Sequence, residues 1–207
     1  MRTLKRKKAP HLHPAVRAAM MRETSDFITR EQVAQAISTL GTNRRSVCFT
    51  GHRYLAKQDL PLISARLDHV LDQCYQHGYR DFLCGGALGF DMLAAERVAA
   101  LQCRHGDARL IMILPCSDQS RRWTSRDAMR YERLLYGADA IQVLSPIYYE
   151  GCMQVRNRHM VDRSSLCICY FRHPKGGTAS TVAYAVKAHV PILNVAMENV
   201  DAAFPIE

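Results

Sequence analysis

Phe82-Leu83-Cys84-Gly85-Gly86-Ala87-Leu88-Gly89-Phe90-Asp91 is the stretch whose reading decides the fold. Three apolar residues run into two glycines, a third glycine follows, and a helical pattern begins at Phe90. A strand that is apolar at every position is covered on both faces, the habit of a parallel sheet. Glycine lets the chain turn sharply and lets backbone approach whatever sits at the strand end. Strand, glycine turn and helix together make one half of a βαβ unit.

The same alternation extends in both directions. Residues 47–50, 110–114, 140–144, 166–171 and 192–195 read as five further short strands. Leu60, Ile63, Leu67, Val70, Leu71 and Cys74 form a helical apolar stripe that Asp59 can cap, with Pro61 in its first turn and Gly78 closing it. Further helices are expected over about 90–101, 121–136, 156–163 and 178–188. The predicted fold class is α/β: a Rossmann-like, doubly wound, mostly parallel sheet of about six strands with helices on both faces. Strand order is not legible, though a nucleotide-binding sheet favours a switch point near strand one.

Composition bounds the rest. The 207 residues are 48% hydrophobic and 23% charged, ordinary for a globular chain. No apolar run approaches the roughly 20 residues of a membrane span. The start, MRTLKRKKAPHLHP, lacks the apolar core of a signal peptide. Eight cysteines without that signal read as reduced thiols, so a cytoplasmic location with no membrane partner is expected. The net charge is +9, but residues 1–45 hold 10 Lys+Arg against 3 Asp+Glu, which leaves only +2 for the remainder. Residues 1–45 therefore read as a basic N-terminal extension with short helices, and residues 46–207 as the nucleotide-binding domain. A basic tail is more often a solvated arm than a reader of nucleic acid, so a nucleic-acid partner is not favoured.

Three loops follow strands and carry small or polar residues: Thr50-Gly51-His52-Arg53, Gly85-Gly86-Ala87-Leu88-Gly89-Phe90-Asp91 and Lys175-Gly176-Gly177-Thr178. Parallel strands bring all three to one edge, where ligands of open α/β sheets bind. Glycine-opened helix N-termini present free N–H groups to a phosphate. A single Gly-Gly pair is more often a tight turn, and it is the coincidence of three loops that points to binding. Neither a dinucleotide fingerprint nor a P-loop is present. Arg156 and Asn157 lie on the short helix before strand five, where a guanidinium can pair with phosphate. Arg158 reads equally well as a phosphate contact or as a solvated helix residue, and Asp162 can pair with it. Arg53 is a phosphate candidate, and His52 a ligand contact or structural group. Asp91 is read as a ribose contact or a stabiliser of its helix N-terminus. Cys167 and Cys169 read as buried thiols on one strand face. Trp123 reads as packing that can reach the site entrance. No metal site is expected.

Together these motifs resemble the SLOG superfamily, which joins the DNA-processing protein A and Lonely Guy families, and within it the YpsA-like branch. The resemblance covers about residues 46–195. It implies a Rossmann-like sheet and a nucleotide-derived ligand such as NAD, ADP-ribose or a nucleoside phosphate. It also implies that the glycine loops, Arg156 and Asn157 line the site. Lonely Guy enzymes follow their glycine-rich Gly-Thr motif with a Glu. Here Thr178 precedes Ala179, Ser180, Thr181 and Val182, with no carboxylate for glycosidic hydrolysis. Catalytic residues stay unassigned and no cofactor is certain. The expected role is a sensor or regulatory module for a nucleotide-derived small molecule. The alternatives are a nucleotide-processing hydrolase and a single-stranded DNA-binding protein. Homo-oligomerisation is left open.

Overall fold

The computed structural model describes residues 45–196. The expected basic extension lies outside the described residues except for its last residue, Arg45.

Among the described residues six strands and five α-helices alternate: β1 Ser46–Gly51, α1 Leu60–Gln76, β2 Asp81–Cys84, α2 Phe90–Arg104, β3 Arg109–Leu114, α3 Ser125–Tyr136, β4 Ala140–Val143, α4 Cys152–Asp162, β5 Leu166–Tyr170, α5 Gly176–Lys187 and β6 Ile192–Asn194. A 3-10 turn at Lys57–Asp59 leads into α1. All neighbouring strands pair in parallel, in the order β4-β3-β2-β1-β5-β6.

The period-two geometry of the strands sorts the core into two layers. Val47, Phe49, Phe82, Leu110 and Met112 pack with α1, α2 and α3. Cys48, Leu83, Ile113 and Cys167 alternate with them and pack against Met160 and Val161 of α4 and Ala185 of α5. The sheet is therefore doubly wound. All eight cysteines are free thiols, and Cys167 and Cys169 are buried as expected.

Three element boundaries differ from the sequence reading. α3 starts at Ser125, not near 121, because Thr124 caps it by accepting from the Asp127 amide at 3.2 Å. α4 starts at Cys152, a turn earlier than expected, behind Gly151 in the left-handed region at φ 90°. α5 begins at Gly176, whose φ is 78°. β4 departs in burial: Ile141 and Val143 are exposed, because β4 is the outer strand of the sheet. Among the described residues no helix is long and apolar enough to cross a membrane.

Candidate ligand site at the carboxyl edge

The strand order reverses between β1 and β5. The loops after these two strands and after β2 therefore meet at one switch point, where α/β sheets leave a crevice.

Gly85 directly follows β2. A Cβ there would lie 1.2 Å from Arg156 Nη1, so the absent side chain is replaced by a guanidinium. Arg156 reaches this point from α4, on one layer, and Asp91 from α2, on the other. Their side chains are 3% and 8% exposed and stand 3.6 Å apart, an ion pair too long to be a hydrogen bond. Nε and Nη1 of Arg156 make no hydrogen bond. Burial pushes the Asp91 carboxyl up to about 6, against the opposing pull of Arg156 and of a backbone hydrogen bond at Ala87.

The other glycines of the first two loops are also filled by protein. At Gly51 the Phe90 ring takes the Cβ position, 2.4 Å away. Gly89 has φ 88° and lies against the backbone oxygens of His52 and Arg53, while the Phe90 amide donates to His52 O at 3.2 Å. Gly86 has φ 61°, and a side chain there would meet Met112 and Tyr131. Gly51 and Gly89 thus knit the first two loops together, while Gly85 and Gly86 seat the second loop against α4, β3 and α3. The third loop is different. At Gly176 and Gly177 a Cβ would meet nothing within 4 Å, both residues are exposed, and no side chain caps α5. The first amides of α5 have no acceptor within the helix and no capping side chain.

His52 is a structural acceptor. Its Nε2 accepts the Arg172 amide at 2.9 Å and the His173 amide at 3.2 Å, tying the β1 loop to the β5 loop. Burial, then the charges of His173 and Arg172, lower its pKa, which keeps the accepting nitrogen unprotonated. Asn157 donates to Thr181 Oγ1 at 2.8 Å and so holds α4 against α5. Thr50 and Thr178 are buried. Arg53 is exposed. Asp162 accepts from the Tyr184 hydroxyl at 2.7 Å instead of pairing with Arg158, whose guanidinium lies over the Tyr184 ring. One residue escaped the sequence reading. Gln119, buried in the loop after β3, donates to the carbonyls of Gly85 and Gly86 at 3.2 Å each. Tyr131 packs beneath the same loop with Trp123 set edge-on against it. No spacing rule marks a glutamine in an irregular loop.

The starts of β2 and β3 carry compensated pairs, Arg109–Asp81 and Arg80–Asp107. At the carboxyl edge only Arg172 is compensated from outside the core, by Asp59. Among the described residues Arg53, Lys57, Arg121, Arg122 and Lys175 form no ion pair.

A family model described as the YspA SLOG family, YpsA, matches residues 49–201. The chain belongs to this SLOG family. Among its relatives, the SPbeta prophage-derived protein YoqJ of Bacillus subtilis is 29% identical over 127 residues, covering 56% of this chain and 74% of that protein. A UPF0398 protein of Halalkalibacterium halodurans is 29% identical over 107 residues, covering 51% and 57% respectively. DNA processing protein A of Helicobacter pylori, solved in a study of its single-stranded DNA binding mode, has the same fold, with a TM-score of 0.51 and 21% identity. That of Streptococcus pneumoniae superposes with a TM-score of 0.53 at 14% identity. Each covers 76% of this SLOG chain, which spans 66% and 50% of those two proteins.

Proposed function

We propose that this SLOG domain binds a nucleotide-derived ligand, such as NAD, ADP-ribose or a nucleoside phosphate, at the carboxyl edge of its sheet, as a sensor or regulatory module. The uncapped start of α5 carries this reading. It is a glycine-opened helix N-terminus beside the switch point, with open space at Gly176 and Gly177. Such a terminus favours a phosphate through its free amides and its dipole. The uncompensated cations Arg53 and Lys175 come from loops flanking the switch point and match the charge of such a ligand. Arg156 supplies buried N–H groups without hydrogen-bond partners on the β2 side. A binding role suits these groups better than catalysis, because His52 and Asp91 are both committed to internal contacts.

A thermal-shift series with NAD, ADP-ribose, AMP and ATP tests the reading. A ligand held only by the native state at a hundred times its Kd adds about 2.7 kcal/mol of stability. A rise in Tm with at least one of the four is expected, and no rise with any of them contradicts the proposal.

One observation favours a second reading, single-stranded nucleic acid. Tyr54 is 88% exposed beside Arg53 and offers a stacking face next to uncompensated cations. Stacking and backbone charge together hold single strands. Under this reading oligothymidylate binds and its affinity falls steeply with salt. A mononucleotide that saturates the site with no oligonucleotide binding rejects it.

A further inference from the structure

The eight cysteines do not share one environment. Cys48, Cys74, Cys84, Cys167 and Cys169 are packed into the apolar core, and Cys103 is exposed. Cys116 and Cys152 are buried, at 0% and 1% exposure, yet belong to none of the apolar clusters of the described residues. Their thiols are in hydrogen-bond contact with each other, and the Cys116 thiol also meets the Asp118 carboxylate.

Two separate parts of the fold bring this pair together. Cys116 lies two residues beyond β3, and Cys152 is the first residue of α4. The loops that carry them are stitched to each other. The Ser117 amide donates to Ser145 O at 3.2 Å and its hydroxyl to Pro146 O, while the Tyr148 amide donates to Asp118 Oδ1 at 3.0 Å. The Cys152 amide donates to Tyr149 O at 3.2 Å. Residues 146–150, which lead into this turn, are all exposed. The pair therefore lies beside an exposed loop, whereas the other five buried thiols lie within packed layers.

Both cysteines also adjoin the residues that hold Gly85. Gln119, three residues after Cys116, donates to the Gly85 carbonyl at 3.2 Å. Arg156, one helical turn after Cys152 and buried like it, fills the space of a Gly85 side chain.

We propose that Cys116 and Cys152 form a reversible disulfide that locks the loop after β3 to α4, with a hydroperoxide as the oxidant. One sulfur attacks a peroxide oxygen and breaks the O–O bond, giving a sulfenic acid and water. The second sulfur displaces the sulfenic oxygen, which leaves as a second water with the remaining thiol proton. Two thiols lose two electrons and two protons, and hydrogen peroxide becomes two waters. Burial, the hydrogen bond to Asp118 and the nearby Cys152 push the Cys116 thiol up to about 11. The thiolate is the reactive form, so the pair stays reduced and reacts slowly unless oxidant is in excess. The bond forms whether or not a nucleotide binds, so this proposal and the ligand reading stand or fall separately.

Peptide mass mapping of the full chain carrying Cys103→Ser, which removes the exposed thiol, tests this after treatment with hydrogen peroxide. A peptide cross-linked between Cys116 and Cys152 is expected, and dithiothreitol should abolish it. The closed loop is expected to raise Tm by roughly 4 °C or more over the reduced protein. Cys152→Ser in the same background is expected to show neither the cross-link nor the rise. Folded protein in which both residues are recovered as free thiols on denaturing alkylation overturns the proposal, as does a Cys48–Cys167 cross-link in their place. A Cys116–Cys152 bond that leaves Tm unchanged overturns the lock. Should Cys152→Ser misfold, the cross-link map and Tm of the Cys103→Ser protein decide alone.

Discussion

Gly85 has no side chain because the Arg156 guanidinium occupies the place where one would be. Gly85→Ala must displace that group, and Asp91 then keeps a buried carboxyl without its counter-charge. Overpacking costs about 1–3 kcal/mol and breaking a buried pair about 3–5 kcal/mol. A loss of about 3 kcal/mol or more in urea unfolding, with an unchanged m-value, is expected for Gly85→Ala. His52 gives a prediction in pH. Its folded pKa lies below the ordinary 6.5, so the neutral ring is the native form. The stability it contributes is complete above pH 6.5 and is lost as pH falls through the lower folded value. Asp91 acts with the opposite sign: its carboxyl rises from 3.8 to about 6, so stability falls as pH climbs through that window. His52→Ala should therefore cost about 1–2 kcal/mol at neutral pH, for two lost hydrogen bonds, and lose less on acidification than the wild type. Melting curves at pH 7.5 and 5.5 distinguish this from a purely steric role, in which the loss is the same at both. At this scale the sequence shows which glycines are unusual but not why. A glycine that admits a neighbouring side chain and one that admits a ligand look alike until the neighbours are placed.

The elements were largely legible. Short, mostly apolar runs mark all six strands, and the stripe from Leu60 to Cys74 marks α1. Boundaries were missed where a helix starts on a glycine rather than on a capping side chain, as at Gly151 and Gly176. α3 starts four residues later than expected because its true cap, Thr124, sits inside an arginine-rich stretch whose pattern already looked helical. Thr124→Ala removes the cap and should cost about 1 kcal/mol in chemical unfolding. An unchanged midpoint would show that the α3 terminus is held by tertiary packing instead. The exposure of Ile141 and Val143 was not legible, since an apolar run says that a strand is covered but not that it lies at an edge.

For the whole molecule, the doubly wound architecture follows from the alternation of elements, while the order β4-β3-β2-β1-β5-β6 does not. The step from β4 across the sheet to β5 brings Arg156 over the end of β2 and the start of α5 beside β1. That step makes the site, and nothing local in the chain announces it. The same holds for charge. Outside residues 1–45 the chain carries only +2, yet among the described residues Arg53, Lys57, Arg121, Arg122 and Lys175 stand in the loops after the strands without ion-pair partners. The central claim is that a phosphate-bearing ligand seats at the start of α5. Gly177→Asp tests it, because the position is open and an acidic residue in a helix's first turn suits the dipole, so the fold is preserved. Titration calorimetry of ADP-ribose into wild type and Gly177→Asp is the decisive measurement. The account predicts binding to the wild type and at least a roughly tenfold weaker Kd in a variant whose Tm is unchanged or higher. Equal affinity in both proteins would contradict it.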